Sequence, residues 1–133
     1  VRFDLTGDPA ALKEAIGGAD VVVAATGAPE NLEALNPSLP RQIDGEGAIA
    51  LVNAAAQSGV KHYLMVSSLG TGRFGLPASL LNLFWNVLEW KGEAEKALML
   101  SGMKFTILRP GGMERPTDDY LFTHSTVVYP QDT

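Results

Sequence analysis

The sequence predicts an α/β domain built on a parallel sheet. Three observations carry that prediction. Short apolar runs at 21–25, 63–66 and 103–108 have the length of strands rather than helices. Helical stretches with capping and stop residues lie between them. The two kinds of segment alternate, an order that gives parallel strands joined by right-handed crossovers.

Taken in order, Val1-Arg2-Phe3-Asp4-Leu5 alternates like the end of a strand. Asp8-Pro9 then starts a helix, with Asp as N-cap and Pro at the first helical position. Leu12, Ala15 and Ile16 share one face of it, and Gly17-Gly18 stops it. Val21-Val22-Val23-Ala24-Ala25 is an unbroken run that fits a strand covered on both faces, ending at Thr26-Gly27. Residues 28–40 carry Pro29, Pro37 and Pro40 and read as a loop with at most a short helix. A helix is expected from 42 to 58, with Ile43, Leu51, Val52 and Ala55 buried. Gly45 and Gly47 each weaken it by roughly 1 kcal/mol relative to Ala, which points to close packing or a nearby ligand. Ser58-Gly59 ends it. The next strand, 63–66, runs into Ser67, Ser68 and Gly70. A long helix is expected over 78–100, apolar nearly all round in its first half and charged in its second. Ser101-Gly102 closes it, and a strand follows that ends in Arg109-Pro110-Gly111-Gly112. A last short strand is expected over 126–129.

Composition narrows the function classes. A chain of 133 residues is at most one domain, and 46% hydrophobic residues is ample for a core. The net charge of −5, with Lys and Arg scattered, argues against a general nucleic-acid binder. Without cysteine there are no disulfides, thiolates or Cys-type zinc sites. His62 and His124 stand far apart with no metal-ligand cluster around either. The apolar run within 78–88 is interrupted by Asn82 and Asn86 and is too short to span a bilayer. It reads either as a buried helix or as a partner interface built from Leu80 to Leu88 with Trp85 and Trp90. The chain lacks an initiator Met and opens in a strand-like run, so it reads as an excerpt of a longer protein.

Ligands of open α/β sheets sit outside the carboxyl ends of the strands. Those ends are Asp4, Thr26-Gly27, Ser67-Ser68 and Pro110-Gly111-Gly112, with Lys91 on the helix after the third. Gly70-Thr71-Gly72-Arg73-Phe74-Gly75 matches G-x-G-x-x-G but is a decoy. Pro77 follows at once, and Glu89, the acid at the fingerprint distance, lies inside a helix instead of ending a strand. A loop at the rim of the site is the better reading.

The order and spacing of these strand ends resemble the atypical branch of the short-chain dehydrogenase/reductase superfamily. The segments S-S-L-G-T-G-R-F-G-L-P-A-S-L-L-N-L-F-W, W-K-G-E-A-E-K-A-L and R-P-G-G-M-E-R-P-T-D resemble more closely one family within it. That family comprises the redox-sensing subunits of the chloroplast inner-envelope translocon, which tether ferredoxin–NADP reductase. The resemblance implies a partial doubly wound parallel (Rossmann) sheet whose N-terminal βαβ, with its Gly-rich loop, is missing from this chain. Residues 1–133 would be the C-terminal portion of a single NAD(P)-binding domain. In the strand order 3-2-1-4-5-6, strands one and two would lie between residues 1–5 and 21–25, leaving a gap.

By the same resemblance, Asp4 contacts the adenine, and Ala25, Thr26 and Gly27 line the adenine ribose. Asp44 stands where the superfamily often has a helix-kinking Asn. Ser67 and Ser68 form the serine strand end, Lys91 binds the nicotinamide ribose, and Pro110, Gly111 and Gly112 turn against the nicotinamide. NADP(H) is the implied cofactor, with NAD(H) the other candidate. Val87 departs from the pattern because it occupies the Tyr of Y-x-x-x-K. A valine has no proton to give, and Tyr63, Trp85 and Trp90 are at the wrong spacing to replace it. Ser68 and Lys91 are the candidate catalytic pair, with any proton coming from water. The implied role is redox-responsive binding or scaffolding in a chloroplast membrane complex, peripheral to the inner envelope or thylakoid. Two other roles stay open: a purely structural subunit, or an active reductase of a small carbonyl or flavin-like substrate. Reductase tethering belongs to a Pro/Ser-rich region outside this chain.

Overall fold

Asp8 and Pro9 start the first helix as their chemistry requires. The Asp8 side chain accepts from the Ala10 N–H, and Pro9 opens α1 (Pro9–Ile16). Gly17 ends it with φ 54°, and Leu12 is the fully buried residue on its inner face. The computed structural model describes residues 4–28, 36, 38–71, 86–111 and 127–128. The elements that follow α1 are β1 (Val21–Ala24), a π-helical segment (Arg41–Gly47) running into α2 (Ala48–Gln57), β2 (His62–Val66), α3 (Val87–Leu100) and β3 (Lys104–Leu108).

The three strands are parallel and stand in the order β1-β2-β3. Val22, Tyr63 and Phe105 are in register, as are Ala24, Met65 and Ile107. The core forms where α2 and α3 meet the face carrying Ala24, Tyr63 and Met65. Leu51, Val52 and Ala55 enter it from α2, and Ala94 and Leu98 from α3. This is part of a Rossmann-type α/β sheet, as the alternation of segments predicts.

Four expectations change. The first strand of the sheet is not covered on both faces: Val21 and Val23 are 54% and 63% exposed. Among the described residues, the helices that reach the core lie against one face, so the alternate residues of β1 look outward. The long helix is not continuous through residue 86. Asn86 has φ 57°, a left-handed conformation that a helix interior does not accept, so α3 begins at Val87. Asp4 and Leu5 lie in a tight turn closed by Gly7 N–H to Asp4 C=O (3.2 Å), not in a strand. Val127 and Val128 are exposed and outside any strand. The remaining residues of the expected first and last strands, and of the helix before 86, lie outside the described residues.

The weak helix around Gly45 and Gly47 is a π-helical turn. Ala48 N–H reaches the Ile43 carbonyl, five residues back. Both glycines are held there by contact. A Cβ on Gly45 would stand 2.9 Å from Trp90 Cε3, and one on Gly47 would stand 2.8 Å from the Gln42 carbonyl and 3.0 Å from Leu5 Cγ. The close packing expected of these glycines is real, but it is against α3 and the N-terminal turn. Two residues of the partner-interface reading also make contacts within the chain. Trp90 packs inward on Gly45, with the Arg41 guanidinium 5.8 Å from its ring centre, and Leu88 is buried. Leu80 and Trp85 lie outside the described residues. Among the described residues, no helix is long and apolar enough to cross a membrane.

Candidate functional site at the carboxyl ends of the strands

The β2 ladder continues past the strand. Ser67 N–H donates to the Leu108 carbonyl (2.7 Å), and Leu69 N–H donates to the Pro110 carbonyl (2.8 Å). This lays Ser67 and Ser68 beside Arg109 and Pro110. At the end of β1, Thr26 and Gly27 approach from the other side. Below them is a small cavity of about 20 Å³, lined among others by Thr26, Asp44, Met65, Ser67, Lys91 and Ala94. That is room for about one water molecule. A larger ligand would lie across its mouth.

Lys91 is the pivot. It projects from α3 with its side chain 17% exposed, and its ammonium lies 2.8 Å from Asp44 Oδ1. The Asp44 side chain is 1% exposed, and its second oxygen accepts from the Ala28 N–H at 3.2 Å. An imagined Cβ on Gly27 would sit 3.8 Å from Asp44 Oδ1 and 4.0 Å from Lys91 Nζ. The backbone after β1 therefore passes directly over the ion pair. One turn further along α3, buried Glu95 accepts from Arg109 Nε (3.1 Å) and Nη2 (2.7 Å), and from Thr71 Oγ1 (2.9 Å). Burial pushes its carboxyl up. The bonds from Arg109 and Thr71, the nearby Ser67 hydroxyl and the Arg109 charge outweigh this and hold it below its ordinary value. Ser67 Oγ is buried and faces Glu95 without full hydrogen-bond geometry.

Thr26, Gly27, Ser67 and Lys91 therefore converge. Ser68 follows Ser67, outside the residues that line the cavity, and its hydroxyl makes a 3.5 Å contact to the Leu69 carbonyl. Pro110 and exposed Gly111 follow β3, exposed Ala25 follows β1, and Gly112 lies outside the described residues. Asp4 does not join them. It is exposed and bonded to the Thr6 N–H and hydroxyl, which lower its carboxyl. Val87 opens α3, one turn before Lys91, and offers no hydroxyl. Tyr63 cannot substitute, because it is fully buried in the core and burial pushes its phenol well up. His62 is structural in its contacts: Nε2 lies 2.9 Å from Thr106 Oγ1. No cluster of metal-ligating side chains occurs among the described residues.

Glu95 was not legible as a site residue, although its spacing held a signal. Leu88, Lys91, Glu95 and Leu98 recur at the spacing of one helical face. A charged residue on an apolar stripe calls for a buried partner.

This arrangement, a parallel sheet with a lysine beneath its strand ends, is that of a Rossmann-type α/β fold. Residues 1–131 match the family model described as NAD(P)H-binding, and the chain belongs to that family. Among curated proteins, it is 50% identical over 119 residues to "Protein TIC 62, chloroplastic" of Pisum sativum and 52% identical to the protein of that name from Oryza sativa subsp. japonica. These alignments cover 90% of this chain but only 22% and 24% of those relatives. A solved Bacillus halodurans structure described as an NAD-dependent epimerase/dehydratase superposes with a TM-score of 0.73 at 29% identity. It covers 88% of this chain and 50% of that one.

Proposed function

We propose that this chain is the C-terminal portion of one dinucleotide-binding domain that takes NADP(H) and acts as a redox-responsive binding or scaffolding module. The convergence of Lys91 with Thr26, Gly27 and Ser67 at the strand ends carries this reading. The ammonium would donate to the nicotinamide ribose, and Gly27 would let the adenine-side backbone come close. Pro110, Gly111 and Gly112 would border the nicotinamide, and Ala25 and Asp4 the adenine half. When bound, the cofactor supplies a hydride. Val87 removes the usual proton donor, so binding is better served than turnover; Ser68 would orient any substrate. The chloroplastic TIC 62 relatives support a chloroplast location in a membrane-associated complex. Reductase tethering would belong to regions outside this chain. Calorimetric titration of the full-length protein with NADPH and NADH is the test. Saturable binding with NADPH the tighter ligand is expected. No heat at about 1 mM of either, a weak ligand by any measure, would overturn the reading and leave a structural subunit.

A further inference from the structure

We infer that the strand-end site takes the oxidised and reduced forms of its cofactor with nearly equal affinity, because Lys91 and Asp44 cancel each other's charge there. The inference rests on the dinucleotide reading above.

The two forms of a nicotinamide dinucleotide carry the same sugars and phosphates. They differ in charge only at the ring: the oxidised ring is a cation and the reduced ring is neutral. An electrostatic preference for one form therefore reports the charge beside the nicotinamide. The chain's net charge of −5 contributes little to it, because salt screens exposed charges beyond about 10 Å. Buried charges close to the ring are screened far less. Among the described residues, the strand ends hold two such cations and two such anions. The Lys91 ammonium lies 2.8 Å from Asp44 Oδ1, and Arg109 Nη2 lies 2.7 Å from Glu95 Oε2. Both carboxylates are buried, and each faces one cation. An unmatched lysine would repel the oxidised ring, and an unmatched carboxylate would attract it; a matched pair does neither. The ring is bonded directly to the ribose that Lys91 would hold, so a charge left on either member of that pair acts on it at close range. At roughly 8 Å, in surroundings like those near a protein surface, a unit charge changes the binding of a unit cation by tenfold or more. The redox response of the module then comes from which form is bound, not from whether the site is filled.

The experiment is calorimetric titration of the full-length protein with NADP+ and, separately, with NADPH, with thermal melts to verify folding. Wild-type affinities for the two should agree within about fivefold, less than the effect of one unmatched charge. Lys91→Met leaves the Asp44 carboxylate unmatched. It should weaken both forms, NADPH about tenfold more than NADP+. Asp44→Asn leaves the ammonium unmatched and should move the ratio by about tenfold in the opposite direction. A pair with a merely structural role would not give opposite signs, because a loss of shape weakens both forms alike. A wild-type difference greater than fivefold would overturn the inference and leave the dinucleotide reading standing. So would variants whose ratios stay at the wild-type value or shift in the same direction. If Asp44→Asn does not fold, the sign of the Lys91→Met ratio decides alone. Failure of the wild type to bind either form would overturn the dinucleotide reading and this inference with it.

Discussion

Two ion pairs sit one turn apart on α3, and they are built differently. Glu95 is saturated: Arg109 grips it with two nitrogens and Thr71 adds a hydroxyl. It fastens α3 to the end of β3 and to the turn after β2. Lys91 is held by Asp44 Oδ1 and borders a cavity, with the backbone of Gly27 passing above. The same helix thus carries a pair that closes the structure and a pair that leaves a charged donor facing the strand ends. A buried pair is weak evidence for function when every lone pair is satisfied, and stronger evidence when one partner keeps donors to spare.

The contrast can be broken most severely at Glu95. Glu95→Ala removes a buried acceptor shared by Arg109 and Thr71 and should cost about 3 kcal/mol, read from the midpoint of urea unfolding. Next comes Gly45→Ala. The new Cβ meets Trp90 at 2.9 Å, so the helix gains propensity but overpacks α3, for a net loss of about 1–2 kcal/mol in the same assay. A smaller effect separates the pairs by pH. The Glu95 carboxyl is lowered in the folded state, so its stabilisation is fully present above the ordinary Glu value of about 4.3. It is lost as pH falls through the lowered folded value. The stability gap between the wild type and Glu95→Gln should therefore shrink in acid below about pH 4. Smallest of all is Lys96→Ala. Its exposed pair with Glu93 (2.6 Å, one turn apart) is screened by solvent, so the melting temperature should barely move.

The fold was largely legible because its signals are local. Asp8-Pro9, the valine run of β1 and the tyrosine-to-valine run of β2 each declare their element. Of the strand ends read as lining one edge, Thr26, Gly27 and Ser67 lie near Lys91, and Asp4 does not join them. What could not be read depends on tertiary context. Val21 and Val23 have the composition of buried residues, but burial depends on what covers them. Trp90 is an interface residue by composition and a packing residue by geometry, because Gly45 leaves room for its ring. The left-handed backbone angle of Asn86, at which α3 starts, is not revealed by the apolar pattern around it. Asp44 and Glu95 look like surface acids until the folded chain supplies Lys91 and Arg109.

The central claim is that the Lys91 pair serves a dinucleotide and the Glu95 pair serves the fold. It is tested most directly by titrating full-length wild type, Lys91→Ala and Glu95→Gln with NADPH, counting only folded protein. Loss of a hydrogen bond from a charged donor should weaken Lys91→Ala by tenfold or more, while Glu95→Gln binds within about twofold of wild type. Equal affinities for wild type and Lys91→Ala would contradict the account.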